Sequence, residues 1–242
     1  FRFVNAYLET TGDYEGATAL RLFTVHRALV RVKVASIRRG QAGPDAKARA
    51  RIERDLEQHL AVAEQIVASA PPRLTITCGL AGTGKTTVSG ALVEALPALR
   101  LRSDVERKRL HGMTAGARSG ASVGAGIYRD EFSERTYAHL LTITEAMLGA
   151  GQSVIVDATF LQAARRAPFF ELARRLGVPL AIASFTAPEA ILRERVRARA
   201  KAQKDASEAD VAVLEHQLLT QEPLDPDEQA RSVTIDTSAA TA

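Results

Sequence analysis

Residues 74–86 have the sequence Leu-Thr-Ile-Thr-Cys-Gly-Leu-Ala-Gly-Thr-Gly-Lys-Thr, in which a short apolar segment leads directly into a glycine-rich turn. The turn, residues 79–86, matches the pattern G-x-x-x-x-G-K-[ST] at every fixed position. Its glycines let the backbone curl until successive N–H groups converge on phosphate oxygens, and the helix predicted to begin near Lys85 directs its positive end at the same anion. An apolar strand before the turn and a helical pattern after it are the context that such a loop requires. The sequence therefore predicts a nucleotide-binding P-loop.

The residue types of this loop also predict its ligands. Lys85 can reach the β- and γ-phosphates of ATP, and the hydroxyl of Thr86 can bind Mg²⁺. ATP and Mg²⁺ are therefore the expected ligands. We assign nucleotide binding to the loop and the residue after it: Gly79, Leu80, Ala81, Gly82, Thr83, Gly84, Lys85, Thr86 and Thr87.

Strand-like and helix-like segments alternate from Pro72 to the end of the chain. This alternation is typical of an α/β fold with a parallel sheet, here the three-layer fold of P-loop NTPases. The predicted strands are residues 74–78, 99–102, 153–157, 179–185 and 232–236. The predicted helices are residues 85–95, 105–110, 129–150, 162–176, 188–202 and 207–221.

The segment before Pro71-Pro72 contains helical patterns without strand-like segments. Asp13 is placed to cap a helix over residues 14–39, and Pro44 is well placed to start the next helix. The first of these helices carries two apolar strips, so we expect it to be covered on two sides. Two or three such helices cannot form a sizeable core alone, and they need either the following domain or a segment upstream.

The chain is therefore expected to divide near Pro71. Residues 1–70 are predicted to be a helical remnant, and residues 71–242 a P-loop domain that folds by itself.

The composition of the 242 residues indicates a globular protein with an anionic ligand. The formal net charge is +4 and the pI is about 9.5, which suits ATP but is too small to argue for nucleic acid alone. No apolar run approaches the roughly 18–20 residues needed to cross a bilayer, and the N-terminus lacks a signal-peptide pattern. We expect a cytoplasmic protein without a membrane partner.

The predicted strand 153–157 ends in Asp157, whose carboxylate suits Mg²⁺ or its bound waters. In open parallel sheets, chemistry collects at the carboxyl ends of the strands. The next residue, Ala158, carries no acid. Hydrolytic ATPase motors generally need an acid beside Asp157 to orient water, so the alanine at this position argues against a motor.

Asp104 follows the second predicted strand, where it could accept a proton from an acceptor hydroxyl. It could instead cap the helix after it, and the two roles are compatible. Arg107, one helical turn further on, could hold a substrate anion or the transferring phosphoryl group, or it could lie on the surface. We assign Lys85, Asp104 and Arg107 to catalysis, and Thr86 and Asp157 to the metal.

Arginines recur at every second position of residues 193–199. Arg193 and Arg197 are four residues apart, as are Arg195 and Arg199, which gives two neighbouring rows on a helix. One row is expected to meet solvent or Glu194, and the other to close over ATP as a lid. We assign Arg193 and Arg197 to the nucleotide.

Three further stretches carry a family resemblance: Arg-Ser-Asp-Val-Glu-Arg-Lys-Arg-Leu at 102–110, Val-Ile-Val-Asp-Ala-Thr-Phe-Leu at 154–161 and Asp-Ala-Ser-Glu-Ala-Asp at 205–210. With the P-loop, they resemble P-loop kinases that carry an AAA-domain label. The chain is similar more distantly to the kinase domain of phage polynucleotide kinase and to gluconate, chloramphenicol and zeta-toxin kinases.

This resemblance implies roles for particular residues. Asp104 and Arg107 match an Asp-x-x-Arg element that supplies the base and a phosphate-binding arginine in polynucleotide kinase. Asp157 and Thr159 match an Asp-Thr pair of that enzyme, but Ala158 is inserted between them. The AAA label implies ring motors, against which the residue after Asp157 argues.

Residues 1–40 show a second resemblance, carried by Asn5-Ala6-Tyr7-Leu8, Gly12-Asp13-Tyr14-Glu15-Gly16 and His26-Arg27-Ala28-Leu29-Val30-Arg31. They look like the C-terminal helices of an aminoglycoside-phosphotransferase-like domain, which is often fused ahead of this type of kinase. The resemblance implies an upstream domain as a partner, whose own catalytic motifs would lie outside this sequence.

The function predicted from the sequence is transfer of the γ-phosphate of ATP to a hydroxyl of a small-molecule acceptor. A 5′-hydroxyl polynucleotide kinase shares these parts, but few aromatic residues are present to stack on bases, so nucleic acid is not the favoured partner. A second alternative is a non-catalytic ATP-sensing module that regulates the upstream domain.

Overall fold

The computed structural model describes residues 1–43, 45–68, 70–117, 130–202, 207 and 209–239. The chain forms two compact units. The sheet unit consists of Phe1–Tyr14 and Pro72–Ala242, and the helical unit consists of Glu15–Pro71.

The sheet unit is built on five parallel strands in the order β2-β3-β1-β4-β5. Successive residues of β1 and β3 are buried although they point to opposite faces, so both faces of the sheet are covered by helices and the fold has three layers. In the central strand, Ile76 pairs with Val156 on one side and Ile182 on the other. The strands are β1 (Leu74–Cys78), β2 (Ala98–Arg102), β3 (Ser153–Asp157), β4 (Leu180–Thr186) and β5 (Ser232–Asp236).

The sequence predicted each of these strands to within one residue, and the α/β fold class is confirmed. Six of the seven described helices after β1 follow the prediction, and all but one of their ends lie within two residues of it; the short helix at Pro226–Ala230 was not predicted. The last predicted long helix begins later than expected, at Val211, because Asp210 caps it; Arg129, residues 203–206 and residue 208 lie outside the described residues. The helices are α5 (Lys85–Ala95), α6 (Ser103–Leu110), α7 (Asp130–Gly149), α8 (Ala163–Leu176), α9 (Glu189–Ala202), α10 (Val211–Thr220) and α11 (Pro226–Ala230).

The first helix of the chain, α1 (Arg2–Thr11), belongs to the sheet unit. The Asn5 side chain donates to the carbonyl of Ala98 at 3.0 Å and accepts from the amide of Arg100 at 2.6 Å, so it pairs the backbone of β2 as a neighbouring strand would. This differs from the predicted division at residue 70, which placed the whole N-terminal segment outside the P-loop domain.

The segment 1–14 is also tied to α6. Tyr14 donates a 2.6 Å hydrogen bond to the buried carboxylate of Glu106, which Arg109 and His139 contact as well. Burial favours a raised pKa for Glu106, but hydrogen bonds from His139, Arg109 and Tyr14 outweigh burial and hold that pKa below its ordinary value. The ionised carboxylate therefore anchors the N-terminal segment to α6.

The helical unit consists mainly of α3 (Leu20–Gln41) and α4 (Ala46–Val67), which pack against each other. The single helix predicted over residues 14–39 is interrupted at Ala19, so the short helix α2 (Tyr14–Thr18) precedes α3. Asp45 caps α4 by accepting from two backbone amides, while Pro44 lies outside the described residues. Among the described helices of both units, none combines the length and apolar character needed to span a bilayer.

Candidate nucleotide and phosphoryl-transfer site

The P-loop connects the carboxyl end of β1 to α5 and depends on glycine at defined positions. Gly79 has φ of 148°, and a Cβ there would lie 2.6 Å from the carbonyl oxygen of Phe185. Gly84 is the residue before α5 and has φ of 76°, in the left-handed region. The loop can therefore present its amides at the start of α5 as the sequence predicts.

Lys85 is buried beneath the loop that it belongs to. Its Nζ donates to the carbonyl oxygens of Gly79 at 2.8 Å and Leu80 at 2.7 Å, and to the Thr83 hydroxyl at 3.2 Å. Burial lowers the pKa of Lys85 to about 8, even though the nearby Asp157 opposes that shift. A cation held in this way gains from an incoming phosphate, because the anion offsets the cost of burying the charge.

Asp157, at the end of β3, is buried next to the start of α5. Its Oδ2 accepts a 2.9 Å hydrogen bond from Ser89, and burial raises its pKa against the opposing charges of Arg102 and Lys85. The Thr86 hydroxyl and this carboxylate are hard oxygen donors of the kind that hold Mg²⁺ together with phosphate oxygens and water. The residues present therefore fit the predicted metal.

The residue after Asp157 is buried and has no polar side chain. Ala158 is buried, and the hydroxyl of Thr77 bonds both its carbonyl, at 2.6 Å, and its amide, at 3.0 Å. This position therefore carries an alanine where a motor ATPase is expected to have the acid that orients water.

A cavity of about 750 Å³ opens above the P-loop at the carboxyl ends of the strands. Most of the predicted site residues line this cavity: Ala81, Gly82, Gly84, Lys85, Thr86, Thr87, Asp104, Arg107 and Asp157. Gly79, Leu80 and Thr83 shape the loop beneath the cavity and do not line it.

Asp104 is the second residue of α6, and Arg102 occupies the position of the N-cap. Asp104 therefore lies inside the first turn and is not the N-cap residue. Its Oδ1 lies 3.9 Å from Nη1 of Arg107, and both side chains are largely buried at the cavity wall. The N-cap position that the sequence offered to Asp104 is thus occupied by Arg102, and the Asp104 side chain lines the cavity.

The two rows of arginines on α9 are placed the other way round from the prediction. Arg193 forms ion pairs with Glu189 at 3.0 Å and Glu215 at 2.8 Å, and Arg197 is exposed. Neither lines the cavity, whereas Arg195 and Arg199 do. The cavity thus contains Arg195 and Arg199 and not the predicted Arg193 and Arg197.

The reason for this reversal is the apolar seam of α9. Leu192 and Val196 are buried against Ala81 and Leu214, and this contact fixes the rotation of the helix. Arg195 then faces the P-loop side, where it donates to Thr237 Oγ1 at 3.1 Å and to the Thr237 carbonyl at 2.7 Å.

The cavity also contains polar residues that the sequence analysis did not single out. On α7, Tyr137 places its hydroxyl 3.4 Å from Oγ1 of Thr159, and the guanidinium of Arg165 lies 5.4 Å from the centre of its ring. On α10, Gln217 accepts a 2.8 Å hydrogen bond from the amide of Ala81. These residues are distant in sequence from the P-loop and belong to no local pattern, so chain folding alone reveals them.

Comparison with known proteins places this site in a family. A family model described as an AAA domain matches residues 74–224. The uncharacterized protein Rv2004c of Mycobacterium tuberculosis is 31% identical over 216 residues, which are 88% of this chain and 41% of that protein. The chain thus spans about two fifths of the length of the curated relatives it matches.

Solved structures show the same fold at low sequence identity. A sugar kinase from Janibacter sp. HTCC2649, solved without ligand, is 21% identical with a TM-score of 0.50 over 69% of this chain and 86% of that chain. Kti12 from Chaetomium thermophilum, solved with ADP-AlF₃, is 18% identical with a TM-score of 0.51 over 69% of this chain and 90% of that chain. The family model covers more than half of the residues, so the chain belongs to the AAA domain family and has the α/β fold of P-loop NTPases.

Proposed function

We propose that this chain is an ATP-dependent kinase that transfers the γ-phosphate to a hydroxyl of a small-molecule acceptor. The observation that carries the proposal is the position of Asp104. Asp104 is not the N-cap residue of α6 and lines the same cavity as Lys85 and Thr86, while the residue after Asp157 is a buried alanine. In this proposal Asp104 is the base for an alcohol, and Ala158, directly after Asp157, has no side chain that could orient water.

The nucleotide is held by the P-loop in this proposal. Lys85 and the loop amides bind the β- and γ-phosphates, and Arg195 and Arg199 approach them from α9. Thr86 and Asp157 would hold Mg²⁺, which supplies positive charge to the phosphate oxygens when bound. Most of the catalytic effect would come from positioning and charge stabilisation, as in other phosphoryl transfers.

Asp104 accepts the proton of the acceptor hydroxyl as its oxygen bonds to the γ-phosphorus. Arg107, on the same wall, stabilises negative charge on the transferring group or on the acceptor. The fold shared with a sugar kinase and with a protein solved with ADP-AlF₃ supports nucleotide chemistry of this type. We place the reaction in the cytoplasm, where ATP is available.

We also propose that residues 1–70 derive from the end of an upstream phosphotransferase-like domain. The exposed apolar side chains of α3 and the greater length of the mycobacterial relatives support this view. In such a chain the P-loop domain would work beside that domain as an enzyme or, alternatively, as an ATP sensor.

The test of the kinase is Asp104→Asn, with Asp227→Asn as the matched control. Asp227 is likewise the second residue of its helix, α11, and is exposed away from the cavity. We expect Asp104→Asn to slow phosphoryl transfer about 10²- to 10⁴-fold, the usual contribution of a general base. Mg-ATP affinity, measured by titration calorimetry, should stay within about threefold because other groups hold the phosphates.

The control variant should transfer phosphate like the parent. Undiminished transfer by Asp104→Asn would remove the residue from the mechanism. A parent that binds ATP but phosphorylates none of a panel of sugars, nucleosides, aminoglycosides and 5′-hydroxyl oligonucleotides would support the ATP-sensing alternative instead.

A further inference from the structure

The strand order divides the cavity into two halves. β1, which leads into the P-loop, is central, with β3 and β2 on one side and β4 and β5 on the other. Arg195 lies in the β4–β5 half, where it contacts Thr237 just after β5. Asp104 and Arg107 follow β2, so they lie in the opposite half.

That opposite half, which we term the β2–β3 half, contains a second arginine. Arg165, near the start of α8, follows β3 and lines the cavity. Its guanidinium stacks on Tyr137, which is in turn held by Thr159 and by the amide of Phe160 at 3.3 Å. The side chain thus has a defined position on the wall that also carries Asp104.

Within the described part of the chain, Arg165 forms an ion pair with a mostly exposed partner. Its Nη2 lies 3.8 Å from a carboxylate oxygen of Glu134, whose side chain is 69% exposed, while Arg165 itself is only 18% exposed. An ion pair with such an exposed partner contributes little, because water and salt screen it. A largely buried guanidinium in this position is stabilised much more by an anion inside the cavity.

The charges of the whole cavity agree with this reasoning. Among the described lining residues, six are cationic and two are anionic, a formal surplus of four positive charges. Glu9 offsets one of them by pairing with Arg102 at 2.6 Å. Mg²⁺ neutralises part of the charge of ATP, so bound Mg-ATP would still leave positive charge in the cavity as a whole.

We infer that the acceptor is an anionic small molecule, a hydroxyl compound that carries a carboxylate or phosphate group bound by Arg165 and Arg107. A guanidinium group can donate two parallel hydrogen bonds to two oxygens of either anion, so either group fits the same subsite. This inference rests on the proposed kinase function. It adds that the anion orients the acceptor so that its hydroxyl meets Asp104.

The reaction then balances without a further reactant. The acceptor oxygen forms a bond to the γ-phosphorus, and the bond from that phosphorus to the β–γ bridging oxygen breaks. The electron pair leaves with ADP, and the hydroxyl proton passes to the Asp104 carboxylate.

The first experiment measures anion binding at the proposed subsite and needs no known acceptor. The parent is saturated with Mg²⁺ and the non-hydrolysable analogue AMPPNP, which fills the γ-phosphate position, and is then titrated with inorganic phosphate. We expect phosphate to bind, and Arg165→Gln to weaken that binding about tenfold or more. The control is Arg175→Gln, an exposed arginine of the same helix that pairs with Glu145 and should leave the affinity unchanged.

Failure of this subsite and failure of the kinase give different results. If AMPPNP binds but phosphate does not, or if Arg165→Gln binds phosphate like the parent, the anion subsite is wrong while the kinase stands. If AMPPNP itself does not bind, the proposed function fails.

The second experiment compares acceptors in matched pairs: gluconate with glucitol, glycerate with glycerol, and ribose 5-phosphate with ribose. For each pair that is phosphorylated, we expect the anionic member to have the higher kcat/KM by about tenfold or more. Arg165→Gln should raise the KM for that member with little change in the KM for ATP. Preference for the neutral members would overturn the inference, and the carboxylate and phosphate pairs distinguish the two sources of the anion.

Discussion

The sheet unit and the helical unit differ in how far their apolar side chains are buried. In β1, Leu74 and Ile76 are fully buried, as the core of a complete fold requires. In α3, the buried residues are the small Ala28 and Ala35, whereas Leu22 is 70% exposed. The two apolar strips of α3 were expected to be covered on two sides, and several of their members are exposed: Leu22, Phe23, Leu29, Val34 and Ile37.

This contrast teaches that amphipathic pattern and core formation are separate properties. A parallel sheet buries both of its faces within one unit, because helices return over it after each strand. A pair of helices buries one seam and leaves the remaining apolar strips to another partner. The cavity lies within the sheet unit, so the proposed chemistry belongs there, whereas apolar side chains of α3 are exposed.

The largest effect should come from truncating an apolar side chain in the core of the sheet unit. Ile76→Ala leaves a cavity in the central strand and should lower the free energy of unfolding by about 2–5 kcal/mol. Leu22→Ala, the same type of truncation on α3, should change it by less than about 0.5 kcal/mol because its side chain is mostly in water. Urea unfolding followed by circular dichroism measures both.

An equal loss of unfolding free energy in Ile76→Ala and Leu22→Ala would contradict the difference in burial between the two units. It would show that the apolar strip of α3 is covered in solution, either by self-association or by another segment. Measurement at two protein concentrations separates these cases, since self-association depends on concentration.

The next effect concerns buried charge. Lys85→Ala should weaken Mg-ATP binding and reduce turnover by about 10²-fold or more, because it removes a cation directed at the transferring phosphate. Lys33→Ala removes an exposed lysine of α3 and should leave ATP turnover unchanged. A coupled assay of ADP release compares them. Parent-like binding and turnover in Lys85→Ala would exclude the P-loop from nucleotide binding.

The smallest effect tests where the sheet unit begins. Tyr14→Phe removes the hydrogen bond to the buried Glu106 and should destabilise the protein by about 1–3 kcal/mol, the range for a bond to a charged group. Tyr7→Phe removes a 2.8 Å bond to Asp13 at an exposed position and should cost less than about 0.5 kcal/mol. Thermal unfolding distinguishes the two.

The transfer rate gives a second measurement of the same variant. Because Glu106 lies on α6 beside Asp104 and Arg107, we expect Tyr14→Phe to slow transfer as well as to destabilise. If Tyr14→Phe is as stable and as active as Tyr7→Phe, the segment 1–14 is not part of the working unit.

Local sequence was sufficient for the strands and for the loop. β1 combines apolar residues with a fixed glycine pattern, and both signals lie within 13 residues, 74–86. The same holds for Asp157, which ends a strand of branched apolar residues. Such features depend on neighbouring residues, so they can be predicted before the chain is folded.

The rotation of α9 could have been predicted but was not. Leu192 and Val196 are four residues apart and define the buried side of the helix, which places Arg195 and Arg199 on one flank. The spacing of the arginines alone leaves the choice between the two rows open.

Other features depend on contacts between distant segments. Asn5 bonds the backbone of β2 over a separation of 93 residues, and no periodicity marks it as a partner for a sheet edge. Arg165 and Tyr137 likewise meet because α7 and α8 flank β3. These contacts are tertiary, and composition or spacing does not encode them.

The anchoring of segment 1–14 has a consequence for how such genes can be divided. The family match begins at residue 74, yet Glu9 pairs with Arg100 at 3.3 Å, and Arg100 donates to the carbonyl of Thr86 at 2.9 Å. A gene divided at residue 74 would encode the P-loop in one product and α1, which carries Glu9, in another. We therefore expect a product that begins at residue 74 to need compensating substitutions along β2 and α6 to hold the P-loop in place.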